Sequence, residues 1–256
     1  MTRLLTALFG RMPIGWLQLS HNRTRLLAAI AGVAFANLLV FVQLGILGAL
    51  NGSTTAPYAL LNADIMISST DANTLSDGSN VARQRLFQAL GVPGVADGTP
   101  LFIGNLDWQR PDGSTSTLQS FGIPAEGVGF VAPVIARQFD ALLLEDTVLV
   151  DRSTRGLPAG ALDDATPADP FLFEANGRTL ATVGTLDIGA GFSADGTLVA
   201  SDQTFLRLFA SRNSGAPDHI LVNVQDGIDP GVVVERLRQA LPADSDDRVE
   251  QATNKV

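Results

Sequence analysis

Histidine occurs only twice in the 256 residues, at His21 and His219, and cysteine is absent. A thiolate nucleophile, a disulfide framework and a Cys-based metal site are therefore excluded. The two histidines lie on opposite sides of a long apolar run, so they do not share a metal. No Gly-x-Ser-x-Gly element is present, and one isolated histidine cannot complete a Ser/His/Asp set. His219 opens an apolar strand and is expected to be a surface or partly buried structural residue. The glycine-dense stretch at 189–197 lacks the Gly-Lys-Ser/Thr ending that a phosphate loop needs to hold phosphates and Mg²⁺. It also lacks the alternating acidic ligands of a calcium loop, and it is expected to be a turn. The acidic run at 244–247 is expected to be a solvated turn rather than a metal site. These residues assign no catalytic, cofactor-binding or metal-ligating position.

The elements that position the remaining residues begin with residues 26–50, which carry no charge. As a helix this run is roughly 37 Å long, enough to cross a hydrocarbon core of about 30 Å with some tilt. It exceeds the apolar region of a cleavable signal peptide, and no convincing small-x-small site follows it, so an uncleaved anchor is expected. Arg3, Arg11, Arg23 and Arg25 precede the first acidic residue, Asp64. The segment after the run has 13 basic residues against 26 acidic ones, a net charge of −13. A basic flank before the span and an acidic domain after it place the N-terminus in the cytoplasm and the domain outside. An acidic, lysine-poor domain is a poor partner for nucleic acid. The expected organisation is an interfacial segment over 1–22, a transmembrane helix over 23–51 and an extracytoplasmic domain over 52–256. Trp16, Arg23 and Arg25 are the expected interfacial anchors toward membrane lipid.

Inside the span, Asn37 and Gln43 cost free energy if they face lipid. Gly32 and Ala36 form a small-xxx-small pair that permits close helix approach. One amide in each half of a long span can simply be tolerated. The sharper expectation is that Gly32, Ala36, Asn37 and Gln43 pack against other membrane helices, supplied by another copy or another protein.

The domain that follows has α+β patterning. Strands are expected at 63–68, 146–151 and 219–225, with a helix over 81–90 that Gly91 and Pro93 stop. One hairpin turns at Pro111-Asp112-Gly113, and a second turns at Asn176-Gly177. Residues 158–170 read as a solvated loop. After a short strand, Ser201 or Asp202 caps a helix. A last amphipathic helix starts at Pro230 and ends before Pro242. The sequence RLFQAL at 85–90 is echoed by RLRQAL at 236–241, each after an expected strand. Two such strand–helix units suit a split βαβ, ferredoxin-like lobe, with the intervening hairpins forming a mostly β lobe. Chance similarity between two runs of common helix formers is the competing explanation.

Several stretches together carry a family resemblance. MPIGWLQLSHNRTRLLAAIAGVAFANLLVFVQLG is similar to an N-terminal elbow followed by a first transmembrane helix. RLFQALGVPGVADGTPLFIGNLDWQRPDG, VLVDRSTR and GRTLATVGTLDIGAGFSADGTLVASDQTFLRLF resemble later segments of the same family. The chain thus resembles permease subunits of the DevC type, the heterocyst-exporter branch of the MacB/FtsX-like ABC transporters. The resemblance implies a MacB-like periplasmic domain, a permease homodimer, a cytoplasmic ABC ATPase that binds the ATP, and a periplasmic adaptor. It implies an inner-membrane location, no cofactor and no catalytic site in this chain. Family members have four spans, whereas this sequence stops where a second should approach, so a truncated product, a split-gene half or a fragment is expected. A membrane-anchored periplasmic binding or interaction module without transport activity is the alternative. An anchored envelope enzyme is the weakest reading, and it would require activity that depends on His219.

Overall fold

The structure, a computed structural model, describes residues 22–110, 112–158, 160–189, 191, 194–242 and 246–252. Trp16, His21, Pro111 and the first two residues of the acidic run at 244–247 lie outside them, and Asp247 opens a strand. The chain divides into two compact units, residues 1–51 and 52–256.

The first unit is dominated by helix α1, Arg23–Thr55. Asn22 caps its start, accepting at Oδ1 from the backbone N–H of Thr24 at 3.1 Å and of Arg25 at 3.3 Å. Such a cap satisfies donors that the first turn cannot pair internally. The 33 residues of α1 extend about 50 Å, longer than a hydrocarbon core of about 30 Å. Its large apolar side chains stay exposed on every side, from Leu27 at 65% through Phe41 at 70%. A helix apolar all round suits a membrane or a protein interior. Among the described residues it is the one helix long and apolar enough to cross a membrane.

The second unit has two lobes. The first is built from β1 (Ile65–Ser69), α2 (Gln84–Leu90), the start of β2 (Val95–Gln109), β8 (His219–Val224), α5 (Pro230–Ala240) and β9 (Asp247–Gln251). The strand order is β2-β8-β1-β9, with every neighbour antiparallel. This is the ferredoxin-like arrangement of two split strand–helix–strand units. The two similar hexapeptides therefore occupy equivalent helices. Leu86 and Ala89 of α2 and Val233, Val234 and Leu237 of α5 bury against Ile65, Ile67, Ile220 and Val222 of the sheet. Asp229 caps α5, accepting from the Gly231 N–H at 2.9 Å. The fourth strand, β9, is an addition to the sequence expectation.

The second lobe is inserted between β2 and β8. Its strands are the far half of β2, β3 (Thr115–Ile123), β4 (Thr147–Asp151), β5 (Phe171–Ala175), β6 (Arg178–Leu186) and β7 (Gly196–Ser201). They run β2-β3-β7-β4-β6-β5 and return to β2, forming a six-stranded ring. Its last closure, β5 to β2, is one residue pair, Trp108 with Ala175. Asn176 and Gly177 take φ of 49° and 72° in the β5–β6 turn, the positive pair that a two-residue hairpin requires. Short helical segments over 125–143, among them α3 (Pro133–Ala136), cover one face of the ring, burying Phe130, Ile135, Phe139 and Leu142 against Phe121, Leu149 and Val199. Helix α4 (Asp202–Leu208), capped by Ser201, covers part of the other face. There Phe205 lies over Gly122, and its ring is 5.9 Å from that of Phe102. The loop over 158–170 is not wholly solvated, because Leu162 is buried with Val148, Val150 and Leu180. The chain is thus α+β, with one N-terminal apolar helix followed by a ferredoxin-like lobe and a mostly β lobe.

Candidate functional site

The side chains singled out in the span all lie on α1, where Gly32, Ala36, Asn37 and Gln43 are exposed. At roughly 100° per residue, Ala36 is about 40° and Gln43 about 20° around the helix from Gly32, whereas Asn37 is about 140° away. The helix therefore does not bring all four together. Gly32, Ala36 and Gln43 share one face. Asn37 shares a different face with Gly48 and Gly52, a Gly-xxx-Gly pair that sequence reasoning passed over and that helical spacing reveals. A Cβ added at Gly32, Gly48 or Gly52 meets nothing within 4 Å, so both faces present bare backbone. Arg23 and Arg25 are exposed at the start of the helix. The third anchor, Trp16, lies outside the described residues.

His219 corrects the expectation of a surface or partly buried residue. It retains 1% of its accessible surface, beneath the ferredoxin-like sheet. Its Nε2 is 2.9 Å from the Leu75 carbonyl, and its Nδ1 is 2.8 Å from the Ser68 hydroxyl, itself 3% exposed. A carbonyl only accepts, so Nε2 carries a proton, and in the neutral ring that burial favours Nδ1 accepts from Ser68. The imidazole is thus neutral and fully bonded. Burial pushes its pKa below the usual 6.5, outweighing the Leu75 hydrogen bond and the field of Asp218. A serine beside a histidine superficially suggests a nucleophile and its base. Here the serine points its proton at the ring inside a closed core, and no substrate atom can approach the oxygen. The pair is a buried strut between β1 and β8.

Asp151, within VLVDRSTR, closes β4 and is fully buried. Its carboxylate accepts from the N–H and hydroxyl of Ser153, both at 2.8 Å. It also accepts from the N–H groups of Ile188 at 3.2 Å and Gly189 at 2.8 Å. This carboxylate ties the end of β4 to the chain leaving β6, a structural use rather than a catalytic one. Asp218 works similarly, accepting from the Ile103 N–H at 2.7 Å and pairing with Arg212.

A cleft of about 1120 Å³ lies beside the β2–β5 seam. Trp108, Arg110, Leu157, Phe171, Phe173 and Glu174 are among the residues lining it. Trp108 and Phe173 stack tilted, with centroids 5.1 Å apart. The Arg110 guanidinium lies over Gly156, where φ is +87° and where a Cβ would collide with it. Sequence reasoning missed this cleft, because it arises where the β2–β3 hairpin turns away from β5.

No protein-family model matches the chain, and no curated protein matches it. Solved structures do resemble it. The extracellular domain of the noncanonic ABC-type transporter YknZ from Gram-positive bacteria superposes with a TM-score of 0.50 at 9% identity. That match covers 73% of this chain and 98% of that domain. The periplasmic region of MacB from Actinobacillus actinomycetemcomitans gives a TM-score of 0.46 at 12% identity, covering 76% of this chain and 91% of that one. At such identities the likeness to the YknZ domain is one of fold.

Proposed function

We propose that this chain is a membrane permease component of an ABC-type exporter, of the MacB/FtsX-like group and its DevC-type branch. The observation that carries this is architectural. A ferredoxin-like lobe with an inserted β lobe follows one long apolar helix, and this domain shares its fold with the extracellular domain of the transporter YknZ. In this reading α1 crosses the inner membrane with its N-terminus in the cytoplasm, and residues 52–256 lie in the periplasm. Arg23 and Arg25 hold the basic end at the cytoplasmic surface among lipid headgroups. A cytoplasmic ABC ATPase binds and hydrolyses the ATP. The chain adds no catalytic centre and passes the resulting helix movement to the periplasmic domain. A second permease copy and a periplasmic adaptor complete the assembly.

The two faces of α1 give this reading its physical content. The Gly32, Ala36 and Gln43 face and the Asn37, Gly48 and Gly52 face each admit a close neighbour. A lone anchor has no use for either. The test is purification of the tagged chain from its own membranes in mild detergent. Co-purification of an ABC ATPase with a full-length permease supports the proposal. A monomeric chain free of both would leave a membrane-anchored periplasmic binding module as the better account.

A further inference from the structure

We propose that the open edge of β5 receives an extended segment of a partner protein as an added strand, and that this segment alternates apolar and basic residues. The proposal concerns the β lobe alone and stands whether or not the chain serves a transporter.

Among the described residues, the ring of six strands is closed at its seam only by Trp108 opposite Ala175. In antiparallel register the next residues of β2 would stand opposite Glu174, Phe173, Leu172 and Phe171 in turn. The chain instead turns into β3. Arg110 donates its N–H to the Ser114 carbonyl at 2.9 Å, and its own carbonyl accepts from Gly113 at the same distance. Residues 171–174 therefore pair with β6 on one edge, and among the described residues they have no ladder partner on the other. Unpaired strand edges are templates for another chain, and proteins usually blunt them with proline, lysine or a bulge. The sequence FLFEA carries no proline, lysine or bulge, and its one charge is Glu174. Its edge opens into the cleft of about 1120 Å³ rather than onto a flat surface.

The lining specifies what fits. Four residues of strand extend about 13 Å, and side chains alternate between faces. Phe173 lies on the face of Trp108, and Phe171 packs against the same cluster. Leu172, 59% exposed, and Glu174 point the other way. An added strand thus sets every second side chain against Phe171, Phe173 and Trp108, where apolar groups are favoured. Its intervening side chains stand beside Glu174, where a cation is favoured. Asp107, Asp112 and Glu174 outnumber the cleft's one cation among the described residues, Arg110, which is seated over Gly156 on the loop wall. The net charge of −13 after the span favours approach of a basic segment. Strand addition takes its affinity from main-chain hydrogen bonds and its selectivity from alternate side chains.

The test uses the full chain in lipid nanodiscs and a capped hexapeptide of alternating valine and lysine. Three measurements apply: exchange of the amide protons at 171–175, binding of the peptide, and binding of a peptide N-methylated along one edge. The expected result is slowed exchange at the outward-facing amides of 171–175 and no binding of the N-methylated peptide. Glu174→Lys, at an exposed position, should weaken the peptide by about fivefold. Equal binding of the N-methylated peptide would overturn the proposal, as would unchanged exchange at 171–175 under saturating peptide. Competition by a nonionic detergent in place of strand pairing would show a small-molecule cleft and also overturn it. Protection at 171–175 that depends on chain concentration without peptide would assign the edge to a second copy, with the same consequence.

Discussion

Replacing His219 with glutamine should flatten the acid limb of the domain's stability curve. The wild-type ring is neutral and buried, with Nδ1 accepting from Ser68 and Nε2 donating to Leu75. Its folded pKa lies below the unfolded value of 6.5. Between those two values the unfolded chain holds a proton that the folded chain refuses. Stability contributed by the neutral ring is therefore complete above 6.5 and is lost as pH falls from 6.5 toward the depressed folded value. One proton contributes a slope of at most about 1.4 kcal/mol per pH unit in that window. Glutamine can still donate to the Leu75 carbonyl, but its amide oxygen does not reproduce the ring position of Nδ1, so the Ser68 hydrogen bond is weakened or lost. That should lower stability at neutral pH by about 1–3 kcal/mol. The assay is thermal or urea unfolding of the intact chain in detergent from pH 7.5 to 5, followed by Trp108 fluorescence in a Trp16→Phe background. The difference between wild type and His219→Gln should shrink as pH falls. A difference constant across this range would refute the reading of His219 as a buried neutral strut. A hydrolytic activity lost with the side chain would revive the enzyme reading.

Three further outcomes follow from the same geometry. Gln43→Leu should leave membrane insertion intact but weaken association with helices on the Gly32 and Ala36 face, and Asn37→Leu should affect a different set of contacts; site-specific cross-linking yields read both, and identical losses would contradict the two-face geometry. Gly122→Val should destabilise the domain by about 1–3 kcal/mol or more, seen as a fall in Tm, because a Cβ there would lie 2.5 Å from that of Phe205 on α4. Asp229→Ala should cost about 1 kcal/mol in urea unfolding through loss of the α5 cap, with Asp229→Ser restoring most of it.

The features legible in the sequence were those that local chemistry specifies. Asn176-Gly177 announces its turn because both residues must take positive φ, and they do. Ser201 and Asp229 announce helix starts because their oxygens meet the free N–H groups there. The paired hexapeptides marked the ferredoxin-like lobe through two amphipathic helices. Strand β9 escaped notice because DRVEQ buries only Val249 and has no apolar alternation to betray an edge strand. The burial of His219 escaped because its partner Ser68 lies 151 residues away. The cleft escaped because a strand register creates it, not any local run of residues. The two faces of α1 were legible in principle, since helical geometry alone separates Asn37 from Gln43. The sequence expectation grouped Asn37 with Gly32, Ala36 and Gln43 and passed over Gly48 and Gly52.

The central claim is that α1 packs among the helices of an exporter rather than standing alone as an anchor. Photo-cross-linking from single positions on the helix tests it most directly. With the cross-linker at Ala36 or Gln43 in native membranes, the account predicts discrete adducts to a permease helix. Those adducts should lie within a complex that also contains an ABC ATPase. Adducts to lipid alone from both positions, with the chain migrating as a monomer on a native gel, would contradict it.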